Sequence, residues 1–154
     1  MDFSPVLISL KTSAISIFIT FFLGLWAARW VVSMRSERTK AWIDGILTMP
    51  LVLPPTVAGF FLLYIFGTKR PVGIFLEKVF QYKIVFTWEA TVLAAVLISF
   101  PLMYRSARGA LEQVDTNLIY AGRTLGMSER TIFWKVMLPQ AKPGILSGGV
   151  LAFT

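Results

Sequence analysis

Three long stretches of this chain carry no charged residue: Thr12 to Ala28, Gly45 to Thr68 and Ala90 to Tyr104. The first continues past Arg29 through Trp30 to Met34. About twenty apolar residues cross the hydrocarbon of a bilayer. Inside it the backbone must satisfy its own hydrogen bonds, which leaves helices or a closed barrel. The ten-residue alternation of a barrel strand is missing, so the chain reads as an all-α, polytopic helical membrane protein. Spans are expected over 12–34, 45–68 and 86–104, within a single transmembrane domain covering 1–154. After Pro143 the apolar run resumes as GILSGGVLAFT, an incomplete fourth span over 143–154. Its eleven residues would rise roughly 16 Å, about half a hydrocarbon core, so further spans are expected beyond it. The first span is not expected to be a cleaved signal, because most of its flanking charge follows it and no small-residue cleavage site does.

Composition agrees and excludes several chemistries. Hydrophobic residues make up 56% of the chain and charged residues 15%, less charge than a water-soluble domain of this size carries. Cysteine and histidine are both missing, which removes disulfides, the commonest metal ligands and the commonest general base. No metal, no cofactor and no catalytic residue is expected, and the chain is not read as an enzyme. Asp44, Glu89 and Arg105 sit at span ends, so the buried carboxylates of proton relays are also missing and the energy for any transport must come from elsewhere. The net charge of +7 lies beside the apolar blocks, which points to anionic lipid headgroups and away from nucleic acid. If the Arg35–Lys40 link and the 105–142 region share a side, that side holds ten Lys and Arg residues against five opposite. The positive-inside rule then puts both in the cytoplasm and the N-terminus outside.

Between the third and fourth apolar blocks lies YAGRTLGMSERTIFWKVMLP, Tyr120 to Pro139. Leu111, Val114, Leu118, Ala121 and Leu125 recur every three or four positions and predict one helix starting near Ala107. Gly126 follows, the residue type that ends a helix in a left-handed turn. Ser128 can cap a second helix with Glu129 in its first turn. That helix carries Ile132, Phe133, Val136 and Met137 on one side and is expected to stop at Leu138-Pro139. The pattern is a knob with a glycine corner. The same periodicity also fits an amphipathic helix lying on lipid headgroups with no partner.

The second span contains Pro50-Leu51-Val52-Leu53-Pro54-Pro55-Thr56. Each proline removes a donor and crowds the carbonyl four residues back, at a cost of about 3 kcal/mol in a helix interior. The carbonyls of Ile46, Pro50 and Leu51 would lose their partners roughly 9–16 Å from Asp44, near mid-bilayer. Such breaks frame transport paths or serve as packing kinks. Pro50, Pro54, Pro55 and Thr56, with the Ser99 and Pro101 kink of the third span, are the candidate path residues. Gly144 and Gly148, four apart, mark a place for helices to meet closely.

The knob resembles the cytoplasmic coupling loop of ABC-importer permeases, whose consensus is Glu-Ala-Ala, three residues, Gly, nine residues, Ile, one residue, Leu-Pro. Aligned on Gly126, the chain places Tyr120, Ala121 and Gly122 at the triplet, Val136 at the isoleucine, and Leu138 and Pro139 at the end. Tyr120 departs from the acidic residue. The segments Met49 to Pro55, Thr87 to Ala90, Val92 to Ala95, Ser99 to Met103 with Arg105, Leu111 to Asp115 and Arg123 to Gly126 are similar to permeases of molybdate and tungstate importers. Sulfate permeases are close relatives. The resemblance implies a MetI-like permease fold in a bacterial inner membrane and a second permease copy forming the pore. It further implies an ATP-hydrolysing ABC dimer gripping the knobs at Tyr120, Ala121, Gly122, Leu125, Gly126, Met127, Ser128, Leu138 and Pro139, and an oxyanion-binding protein outside. A membrane subunit that binds the ATPase without forming a path is the other reading.

Overall fold

In a computed structural model, residues 4–67 and 87–153 are described, with Ile74 and Lys78 between them. The expected polar connection over 69–87 therefore lies almost wholly outside the described residues, as do the outer ends of the 45–68, 86–104 and 143–154 spans. The described residues form helices α1 (Ser4–Val32), α2 (Glu37–Val52), α3 (Pro55–Phe66), α4 (Trp88–Glu112), α5 (Thr116–Thr124), α6 (Glu129–Ile132), a π-helical turn (Phe133–Met137) and α7 (Leu138–Phe153). α1 and α4 are long and apolar enough to cross a membrane. α2 and α3 qualify together but are bent by 108°. α7, at sixteen residues, rises about 24 Å.

α1 and α4 run side by side in the same direction. Trp88 Nε1 donates to Thr12 Oγ1 at 2.7 Å, the Thr20 and Ser99 hydroxyls lie 3.0 Å apart, and Gly24 backs onto Met103 and Tyr104. The face that α1 buries is Thr12, Ser16, Thr20, Gly24 and Ala28, small residues four apart. In lipid, where apolar burial gives no drive between helices, such residues let backbones approach and gain dispersion. α7 packs on the other side of α4 and runs antiparallel. A Cβ on Gly144 would lie 2.6 Å from Ala110 Cβ, and one on Gly148 2.6 Å from Ser106 Cβ. Ser106 Oγ donates to the Gly144 carbonyl at 2.9 Å, which also uses that close approach. The meeting place expected at Gly144 and Gly148 is therefore the surface of α4. Ala28, Val31, Tyr104, Ala107, Leu111, Phe133, Ala141 and Ile145 form one core at the end where the knob leaves. Phe18, Phe22, Trp26, Phe60 and Leu63 remain exposed, as on a surface meant for lipid or other spans.

Several expectations are corrected. The first helix starts at Ser4 rather than 12, because Lys11 does not interrupt it: its ammonium lies 4.6 Å over the Trp88 ring. Pro5 falls in the first turn, where its missing N–H costs nothing. The charged link is mostly helix as well, since Ser36 caps α2 through Thr39 N and Glu37-Arg38-Thr39-Lys40 form its first turn. The second span is broken, as its prolines imply, but not at all three of them. Pro50 stays inside α2, and the break falls at Leu53 and Pro54, both extended. Each of these two precedes a proline and is pushed out of the helical region, whereas Pro50 alone is tolerated.

The helix expected from Ala107 through Leu125 is two helices. α4 runs on to Glu112 and Asp115 caps α5, accepting from Asn117 N at 2.9 Å. The apolar stripe accordingly divides: Leu111 and Val114 are buried in the core, while Leu125 is 80% exposed. Nor does Pro139 stop the chain. Its ring would collide with the Lys135 carbonyl in an α-helix. Here the preceding turn widens, Leu138 N–H donates to Phe133 O, and the helix continues through Pro139 and Pro143 to Phe153.

Gly144→Ala and Gly148→Ala should each lower stability in detergent by about 1–3 kcal/mol through overpacking against α4. Gly45→Ala, with nothing within 4 Å of the added carbon, should be neutral or stabilising. Thermal unfolding of the three purified variants checks the difference.

Candidate functional site: a glycine-cornered knob and a broken helix

The knob is built by local hydrogen bonds. Gly126 is the one described glycine with a positive φ, +75°. Met127 N–H bonds to Gly122 O and Gly126 N–H to Arg123 O, both at 3.0 Å, which is the Schellman closure of a helix C-terminus. Two residues later Ser128 caps α6, its Oγ accepting from Thr131 N at 3.3 Å. Gly122 is buried, and a Cβ there would meet Ile132 Cγ1 at 3.1 Å, so the lack of a side chain lets α5 lie on α6. Ile132 and Phe133 are buried with Val136 and Met137 half-buried, as the apolar spacing predicted.

An ion pair closes the corner from outside. Arg123 Nε lies 2.7 Å from Glu129 Oε1, and Nη2 lies 3.3 Å from Oε2. The hydrogen bond from Arg123 holds the Glu129 carboxyl below its ordinary pKa and in turn raises that of Arg123. The knob is fixed to the spans by Arg29 of α1, whose guanidinium carbon lies 4.1 Å from the Phe133 ring centroid. At the tip Leu125 and Tyr120 project, the latter 59% exposed. The arrangement can offer an apolar side chain and a bare backbone corner to a groove in another protein.

Residues Tyr120, Ala121, Gly122, Leu125, Gly126, Met127 and Ser128 thus form one corner. Leu138 and Pro139 do not join them: Leu138 packs on the core beyond the π turn, and Pro139 is exposed on α7. The candidate path residues also divide. Pro54, Pro55 and Thr56 are exposed at the break and Pro50 is half-buried. Ser99 instead joins α4 to α1 through Thr20 while donating to Ala95 O, and Pro101 is fully buried.

Sequence reasoning missed a network at the knob's root. Arg108 pairs with Asp44 of α2 and, through Nε, with Glu112 at 2.9 Å; Tyr104 donates to Asp44 Oδ1 at 3.1 Å. The spacing of Tyr104, Arg108 and Glu112, four apart on α4, was the available signal. The Thr12–Ala28 stripe and the Arg123–Glu129 pair were missed too. A cleft of 460 Å³ between α4 and α7 is lined by Arg105, Gln113, Gln140 and Ser147 among others. Among the described residues no three His, Cys, Asp or Glu side chains gather in a way that could hold a metal.

Close-packed apolar spans, a bent pair of helices and a protruding glycine corner define a polytopic helical membrane protein. The chain belongs to the family of binding-protein-dependent transport system inner membrane components, whose model matches residues 20–154. It is 41% identical over 152 residues to the molybdenum transport system permease protein ModB of Escherichia coli K12, and 35% identical over 153 residues to that of Haemophilus influenzae. Each match covers 99% of this chain and 66% of the relative, so the chain spans just under two thirds of their length. The "Probable sulfate transport system permease protein cysT" of Chlorokybus atmophyticus is 30% identical over 98% of this chain and 52% of its own. The fold is that of an inward-facing MetNI methionine ABC transporter structure, with a TM-score of 0.75 at 21% identity over 96% of this chain and 66% of that one.

Because the Glu129 carboxyl is stabilised as the anion, the bond from Arg123 is present above the ordinary glutamate pKa and lost as pH falls through the lowered value. Arg123→Gln should move the Glu129 titration back up toward the ordinary range, read by carboxyl-selective NMR or infrared titration. An unmoved midpoint would mean the pair does not form in solution.

Proposed function

We infer that the chain is a transmembrane permease subunit of an ATP-driven importer of molybdate or tungstate. The single observation that carries this is the likeness, at 41% identity, to a molybdenum permease over 99% of the chain, knob included. The sulfate reading stands second, supported by the 30% identical relative. The knob residues Tyr120 to Ser128 engage an ATP-hydrolysing subunit, two copies of which serve two permease copies, and an extracytoplasmic protein delivers the oxyanion. The chain itself performs no hydrolysis.

Orientation follows from charge. Arg29 stacks on Phe133 and Asp44 pairs with Arg108, so the α1–α2 link and the knob share one end. That end carries the ten-to-five excess of Lys and Arg, which supports a cytoplasmic knob, an external N-terminus and a bacterial inner membrane. Closure of the ATPase dimer on nucleotide pulls the two knobs together and swings the spans as rigid bodies between inward- and outward-open states. The oxyanion passes beside the break at Leu53-Pro54, where neutral dipoles guide it without the tight hold a fixed cation would give.

In the assembled transporter, ATPase activity should rise with binding protein loaded with molybdate or tungstate and much less with sulfate. The reverse order would transfer the chain to the sulfate permeases. Gly126→Trp should abolish that stimulation while the subunit still inserts, because a bulky side chain at positive φ strains the corner and blocks its entry into a groove. Undiminished stimulation would remove the knob from the mechanism.

A further inference from the structure

We propose that Arg108 is a positioning residue that couples the knob's root to the broken α2–α3 helix, holding Asp44 with one arm of its guanidinium and Glu112 with another. The proposal rests on the permease reading above and names the part that carries motion from knob to path.

Glu112 closes α4, and only Gln113 and Val114 separate it from Asp115, the cap of α5. Asp44 lies on α2, about 13 Å along the helix from the break at Leu53. Arg108 therefore stands between the segment an ATPase would move and the segment beside which a solute would pass. The rest of the α2 attachment is weak in direction. No α2 residue is fully buried, and Ile43 and Leu47 touch the core only partly. Apolar contacts of that kind resist separation but not sliding, since the dispersion they gain has no preferred direction. The Asp44 carboxylate takes two bonds of fixed geometry at one oxygen, from Arg108 and from the fully buried Tyr104. With 20% of the Arg108 side chain and 34% of Asp44 exposed, these bonds are partly shielded from water and screening. Guanidinium suits the role because its planar fork serves two carboxylates at once, which an ammonium point charge does not.

The chain has no cysteine, so Thr56→Cys, at the exposed start of α3, gives a single reporter thiol in this subunit. Its labelling rate by a soluble maleimide is compared between nucleotide-free and vanadate-trapped transporter in proteoliposomes. With Asp44 and Glu112 intact the rate should differ roughly fivefold or more between states, the scale of a coupling of one to a few kcal/mol. In Asp44→Asn and in Glu112→Gln the two rates should converge, while ATPase activity without binding protein is retained. A full nucleotide-dependent difference in either assembled variant overturns the proposal. If Asp44→Asn fails to assemble, Glu112→Gln decides alone, its side chain being 44% exposed at a helix end. No difference in the transporter carrying only the reporter would sink the permease reading itself.

Discussion

α4 is gripped from two sides at distances that tolerate no extra carbon. Gly24 of α1 lies against Met103 and the Tyr104 backbone, and Gly144 and Gly148 of α7 lie against Ala110 and Ser106. Between lipid-bathed helices this close contact is what dispersion can stabilise, and it also brings hydroxyls such as Thr20 and Ser99 within bonding range. Everything at the knob end follows. The core around Tyr104, Ala107 and Leu111 exists because the three helices converge there, and Phe133 reaches Arg29 because α7 enters beside α1.

The knob is rigid for a separate, local reason. Two backbone bonds close α5 at Gly126, a serine opens α6, and the Arg123–Glu129 pair spans the bend. Only a glycine takes the +75° φ without strain. By contrast the α2–α3 pair lies on the outside of the bundle with its proline break exposed. A stiff handle and core beside a loosely packed broken helix are suited to rigid-body switching, in which one part keeps its shape while the other shifts.

Features set by local chemistry were legible in the sequence. The helical membrane class, the corner at Gly126, the Ser128 cap and the close approach at Gly144 and Gly148 each depend on residue type at a fixed spacing. Features set by competition between rules were not. The stripe from Leu111 to Leu125 keeps helical period across a break, because Asp115 supplies a cap that periodicity does not register. Pro139 looks like a terminator, yet a wider turn before it absorbs the clash. Pro50, Pro54 and Pro55 look equivalent, but only the adjacent pair forces two consecutive residues out of the helix. The Asp44–Arg108 pair spans 64 positions, too far for any local pattern to announce it.

The account turns on the knob lying in the cytoplasm and moving as one piece with the ATPase. A cysteine placed at Leu125, whose side chain projects from the corner 80% exposed, tests this most directly. The account predicts that it resists membrane-impermeant reagent applied outside intact cells and forms a short crosslink to the ATP-hydrolysing subunit, kept through the nucleotide cycle. Labelling from outside the cell, or no crosslink to that subunit in any nucleotide state, would contradict it.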